Sequence, residues 1–142
     1  MVEKDNKFKF YLILFIVGFA INLVWEINQM PYFDGKPGDT YAEGIFYCSL
    51  ASIIDGITIV SIYFLASKIF ASETFRFYLL TALFGALCAI IFENFAFYFN
   101  LWSYKDSMPI VPFLEVGLSP FIQLITLTPL SIFLAQIISR KM

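Results

Sequence analysis

Four acidic side chains stand inside or at the edge of apolar runs: Glu26, Asp55, Glu93 and Glu115. Gln123 follows the last of them, and Trp102 and Tyr104 fall between Glu93 and Glu115. An acid at the centre of a bilayer-spanning helix costs about 2.5–3.5 kcal/mol on insertion scales, so such a residue usually marks function. No Lys or Arg lies beside these acids in sequence. Carboxyl groups gathered without a cation must share a proton or take in a positive group.

Two chemistries fit that pattern. Carboxylate and amide oxygens suit a hard cation or the positive head of an amphipathic molecule. Glu26, Asp55, Glu93, Glu115 and Gln123 would then line the ligand, with Trp102 and Tyr104 over it. The alternative is acid–base catalysis inside the membrane. There a protonated Glu93 donates to a double bond and Asp55 removes a proton elsewhere. A third reading is a structural membrane subunit whose polar groups only join helices or a partner.

The surrounding chain specifies what must position these residues. Of 142 residues, 60% are hydrophobic, 20% aromatic and 14% charged, with a mean hydropathy of +0.80. Soluble domains are about 45–50% apolar and about 25% charged, so a lipid-embedded chain fits better. Four segments, at about 8–29, 45–70, 75–100 and 112–138, meet the requirement of about 20 mostly apolar residues for a bilayer span. The expected fold is an all-α bundle of four transmembrane helices in one domain. Pro120 and Pro129 are expected to kink its fourth helix. The apolar run of the first segment continues past Gly18-Phe19-Ala20 to Trp25, so it is expected to persist as a helix and not be cleaved as a signal peptide.

Seven basic residues, Lys4, Lys7, Lys9, Lys68, Arg76, Arg140 and Lys141, lie at the termini and second loop; two, Lys36 and Lys105, lie in the other loops. The positive-inside rule then puts both termini in the cytoplasm of a multi-pass cell-membrane protein. The turn-rich first loop (Pro31 to Glu43) and the third loop face outward. Ser72 is expected to cap the third helix, with Glu73 in its first turn.

Each segment carries one line of polar or small residues at helical spacing. Gly18, Asn22, Glu26 and Gln29 form the first; Cys48, Ser52, Asp55 and Thr58 the second. The third holds Ala82, Gly85, Ala89, Glu93, Ala96 and Asn100. The fourth is expected to hold Pro112, Glu115, Ser119, Gln123 and Thr126. With lipid on the Phe, Ile and Leu faces, these lines point inward. Asp55 and Glu93 are expected roughly 12–15 Å from the outer ends of their helices by the ~1.5 Å rise. Together the acids predict a polar pocket opening outward.

Other features narrow the class. A net charge of −2 gives no basic footprint for nucleic acid. With no histidine, haem and the usual zinc or copper sites lose their commonest ligand, so neither cofactor nor metal is expected. Cys48 and Cys88 form no CxxC pair and read as small buried residues. Trp25, Trp102, Tyr32 and Tyr104 suit an outer aromatic belt, with Trp102 and Tyr104 also placed to cap the pocket. The Gly85/Ala89 face suits either packing inside the bundle or a homo-oligomer. The repeated Asn-Leu…Trp…Met-Pro pattern at 22–31 and 100–109 is compatible with duplication of a helix pair.

Trp25-Glu26, Gln29-Met30-Pro31, Asp55, Glu93, Trp102 with Tyr104, Met108-Pro109, Gly117, Pro120 and Gln123 resemble a set of small uncharacterised four-helix bacterial membrane proteins. That resemblance spans nearly the whole chain and implies the same architecture without an activity. Membrane acids with Trp and Tyr also make the chain remotely similar to sterol isomerase-like proteins and small membrane lycopene cyclases, which set carboxylates against a sterol or polyene; for the enzyme alternative this resemblance implies an isomerase or cyclase type acting on an isoprenoid or sterol-like lipid. It departs from them in lacking histidine, and Pro112-Phe113-Leu114-Glu115 lacks the adjacent acid pair of the cyclase motif.

Overall fold

The computed structural model describes residues 2–35 and 39–142; Lys36, Pro37 and Gly38 of the first loop lie outside the described residues. Helix α1 (Val2–Gln29) runs into a short 3-10 turn, Met30–Tyr32. Helices α2 (Tyr41–Ala66), α3 (Phe75–Tyr98) and α4 (Leu118–Lys141) follow. All four are long and apolar enough to cross a membrane. Two short strands, β1 (Phe33–Asp34) and β2 (Ser103–Tyr104), pair antiparallel, with Phe33 opposite Tyr104.

The helix ends differ from the expected ones for local reasons. Helix α2 begins earlier because Thr40 and Glu43 form a capping box: Thr40 Oγ1 accepts from the Glu43 amide at 3.3 Å, and the Thr40 amide donates to Glu43 Oε2 at 2.7 Å. Asp55 is consequently fourteen residues, about 21 Å, into α2. Glu93 is five residues, about 7–8 Å, from the end of α3. Thr74, not Ser72, caps α3, accepting from the Phe77 amide at 3.2 Å. Glu73 has a φ of 79° and forms an ion pair with Arg140 instead of joining the first turn. At the far end, Asn100 takes φ 51°. The Leu101 and Asn100 amides donate to the carbonyls of Ala96 and Phe97 at 2.9 and 3.1 Å, a left-handed C-terminal cap that suits Asn.

Helix four starts six residues later than predicted. Residues 111–116 form a tight turn in which the Val111 amide donates to the Val116 carbonyl at 2.9 Å. Phe113 and Glu115 are left-handed there, at φ 68° and 57°, and Pro112 disfavours helical backbone at Val111. Pro120 therefore falls in the first turn of α4, where an amide has no helical partner to lose. It breaks nothing. Pro129 lies inside α4, which continues past it to Lys141.

Helix α1 packs against α2 and α4, and α4 against α3; α2 and α3 touch far less. Small residues permit the closest approaches. A Cβ on Gly56 would stand 3.3 Å from the Phe15 carbonyl oxygen, and one on Gly85 would overlap the Leu124 carbonyl. Gly85 and Ala89 are thus buried inside the chain, so that face is not free for the suggested homo-oligomer. Near the second loop, Leu14, Ile59, Ala66, Phe77, Ile132 and Ala135 form the apolar core. Cys48 is buried and Cys88 half-buried, both unpaired. At the opposite end, polar side chains replace that core.

Candidate functional site

The inward lines of α1, α2 and α4 meet at one amide. Gln123, 2% exposed, donates from Nε2 toward Asn22 Oδ1 at 3.0 Å, Glu26 Oε1 at 2.9 Å and Asp55 Oδ2 at 3.2 Å. An amide NH2 has two protons, so three acceptors compete for them. Gln29 extends the network, donating from Nε2 to Glu26 Oε1 at 3.0 Å and to Gln123 Oε1 at 2.8 Å. Its own Oε1 accepts from Trp25 Nε1 at 3.2 Å and Ser119 Oγ at 2.8 Å. Asn22, Trp25, Gln29 and Ser119 are therefore site residues that reasoning from the acids alone passes over. Asn22 and Gln29 lie on the Gly18–Gln29 line, which is the signal that identifies them.

Helix α3 brings the third acid. Glu93, 5% exposed, accepts at Oε2 from the Tyr104 hydroxyl and, at 3.3 Å, from Trp102 Nε1. Asp55, 7% exposed, shares the Gln123 amide with Glu26, while Glu93 is bonded to the third loop. All three acids lie in the polar half of the bundle. Among the described residues, no Lys or Arg donates a hydrogen bond to these three acids.

The third loop closes over Glu93. Pairing of β1 with β2 holds Tyr104 in register, and its ring packs edge-on against Phe33 and Phe97 at centroid distances of 5.3 and 4.9 Å. The Gly117 amide donates to the Tyr104 hydroxyl at 2.8 Å, so α4 begins where that hydroxyl is anchored. A side chain at Gly117 would meet it at 2.9 Å. Trp102 and Tyr104 accordingly both reach Glu93 from the third loop. Trp25 and Trp102 also occupy different settings, one within α1 and one in a loop, so the repeated pattern does not put them in equivalent places.

Glu115 is not part of this cluster. It sits exposed in the 111–116 turn, because helix four starts beyond it. Thr126 is exposed as well; the inward line of α4 runs instead through Gln123, Thr128, Ser131 and Gln136. A groove lined by Val24, Trp25, Gln29, Ser119 and Leu127, among others, lies beside the acids. Among the described residues no three His, Cys, Asp or Glu side chains are grouped to hold a metal ion.

Burial and the adjacent Glu93 carboxyl push the Tyr104 phenol well above its ordinary value of 10.0. The folded state then holds this proton more tightly than the unfolded chain, so the contribution is full below about pH 10 and is lost as the pH rises beyond it. Tyr104→Phe should remove that part of the alkaline loss. Unfolding transitions recorded at about pH 8 and about pH 11 test this, with a smaller drop expected for the variant. Equal drops would mean that another group governs the alkaline limb.

Comparison with protein-family models, curated proteins and solved structures gave no match. No relative's activity can be carried over, and the functional reading rests on the geometry alone.

Proposed function

We propose that the chain is a multi-pass protein of the cell membrane, with both termini cytoplasmic, that binds or transports a small cation or a cationic amphipathic molecule at Glu26, Asp55 and Glu93. The observation that carries this reading is the sharing of the two Gln123 amide protons among Asn22, Glu26 and Asp55. Buried polar groups are ordinarily satisfied, and a set of carboxyls served by so few donors has capacity for a bound proton or an ammonium group. The absence of a three-ligand cluster among the described residues favours a proton or an organic ammonium over a coordinated metal. Trp102 and Tyr104 cap the site, and the seven-to-two distribution of basic residues supports the outward orientation of that cap.

Asp55→Asn and Glu93→Gln retain shape while removing the titrating group. Each should lower ammonium binding by about tenfold or more, the equivalent of ~1.4 kcal/mol, and abolish its decline at acid pH. Titration calorimetry of tetramethylammonium on protein in nanodiscs measures both. Binding that is flat between acid and neutral pH would reject the reading.

The enzyme reading has one observation in its favour. Glu93 accepts from Tyr104 and Trp102, whereas Asp55 accepts from an amide, and differently surrounded acids are the pattern of an acid–base pair. An altered lipid or carotenoid profile in cells carrying Glu93→Gln would support it; an unchanged profile would count against it.

A further inference from the structure

A groove of about 650 Å³ runs between α1 and α4 at the end of the bundle that holds the acids. Ala20, Ile21, Val24 and Leu127 line its apolar length, and Tyr32 lies at its outer limit. Ala20 is exposed and presents only a methyl group where a larger side chain would fill the space. From Ala20 to Tyr32 is about 18–20 Å of helix, against ~15 Å for half of a ~30 Å hydrocarbon core. A chain from one leaflet therefore fits the groove along its length.

Toward Tyr32 the wall becomes polar. Trp25 Nε1, Gln29 Oε1 and Ser119 Oγ are joined by hydrogen bonds of 2.8 to 3.3 Å, and all three residues line the groove. These side chains satisfy one another and give the groove a polar end, where a head group rather than a chain can rest. Gln29 also faces the other way, since its Nε2 bonds Glu26 and Gln123. One side chain thus separates the groove from the carboxyls and touches both.

We propose that the groove holds a single-chain amphipath with a positively charged head. Its chain lies over Ala20, Ile21, Val24 and Leu127, and its head rests at Trp25 and Gln29. The indole face attracts a cation, and the carboxyls behind Gln29 supply negative charge without a protein cation to offset it. The charge of the head rests on the carboxylate reading above; the seat of the chain does not.

The test uses protein in phosphatidylcholine nanodiscs and dodecyltrimethylammonium carrying a diazirine at its chain end. Photolabel should map to residues 17–24 of α1 and to Leu127. Labelling should fall about tenfold with excess dodecyltrimethylammonium and much less with equal dodecanol. Ala20→Phe, which fills the groove from an exposed position, should cut labelling by about tenfold while leaving tetramethylammonium binding intact. Labelling that is insensitive to Ala20→Phe, or spread over the lipid faces of all four helices, overturns the groove even if tetramethylammonium still binds. Equal competition by dodecanol overturns the charged head. Tetramethylammonium binding that ignores Asp55→Asn removes the carboxylate reading and, with it, the assigned charge, whereas groove labelling would survive.

Discussion

Gln123→Leu will destabilise the folded bundle by about 2–3 kcal/mol. The change leaves Asn22 Oδ1 and Asp55 Oδ2 without the donor they share, while Glu26 keeps Gln29. Each buried group left unsatisfied costs about 1–3 kcal/mol. Interhelical hydrogen bonds in membranes average nearer 0.6 kcal/mol because the unfolded chain in lipid finds other partners, so the lower end of the sum applies. Adding Asp55→Leu should recover part of the loss, because an apolar pair strands no acceptor between them. Unfolding in mixed detergent, followed through Trp25 and Trp102 fluorescence, reads these differences. Should Gln123→Leu unfold at the wild-type midpoint, the amide does not hold α4 to α1 and α2.

The second large effect is at Gly85. Even alanine there would drive a Cβ into the Leu124 carbonyl, and a backbone atom cannot rotate away as a side chain can. Overpacking costs about 1–3 kcal/mol or more, and alanine recovers up to about 1 kcal/mol of helix propensity over glycine. A net loss of about 2 kcal/mol is expected for Gly85→Ala, and more for Gly85→Leu. Gly44 is the control, since a Cβ there meets the Met30 sulfur at 2.7 Å, the flexible part of a side chain that can move. Gly44→Ala should lie within about 0.5 kcal/mol of wild type. The same unfolding assay measures both; a Gly85→Ala protein as stable as the Gly44→Ala one would mean that α3 and α4 do not pack this closely.

Both effects arise where helices meet, and the two kinds of information differ there. Four apolar segments are legible in the sequence because a span must be long and greasy wherever it packs. The inward lines of α1, α2 and α3 follow from helical spacing, which is local. Hence Asn22, Gln29, Ser52, Asp55, Gly85 and Glu93 are buried as their spacing predicts. The expected start of helix four is the main departure. Its first residues look like a span by hydropathy, but two left-handed residues and Pro112 turn the chain at 111–116. That turn removes Glu115 from the site.

Sequence alone determined that this chain has four membrane-length helices and that three acids lie on their polar lines, because hydropathy and helical period depend only on neighbours in the chain. Tertiary structure decided that Gln123 joins α4 to both α1 and α2, that Tyr104 and Trp102 fold back onto Glu93, and that a groove lies beside the acids. Those outcomes depend on how far helices rotate and how closely their backbones approach, and contacts between residues some 70 to 100 positions apart leave no periodic trace.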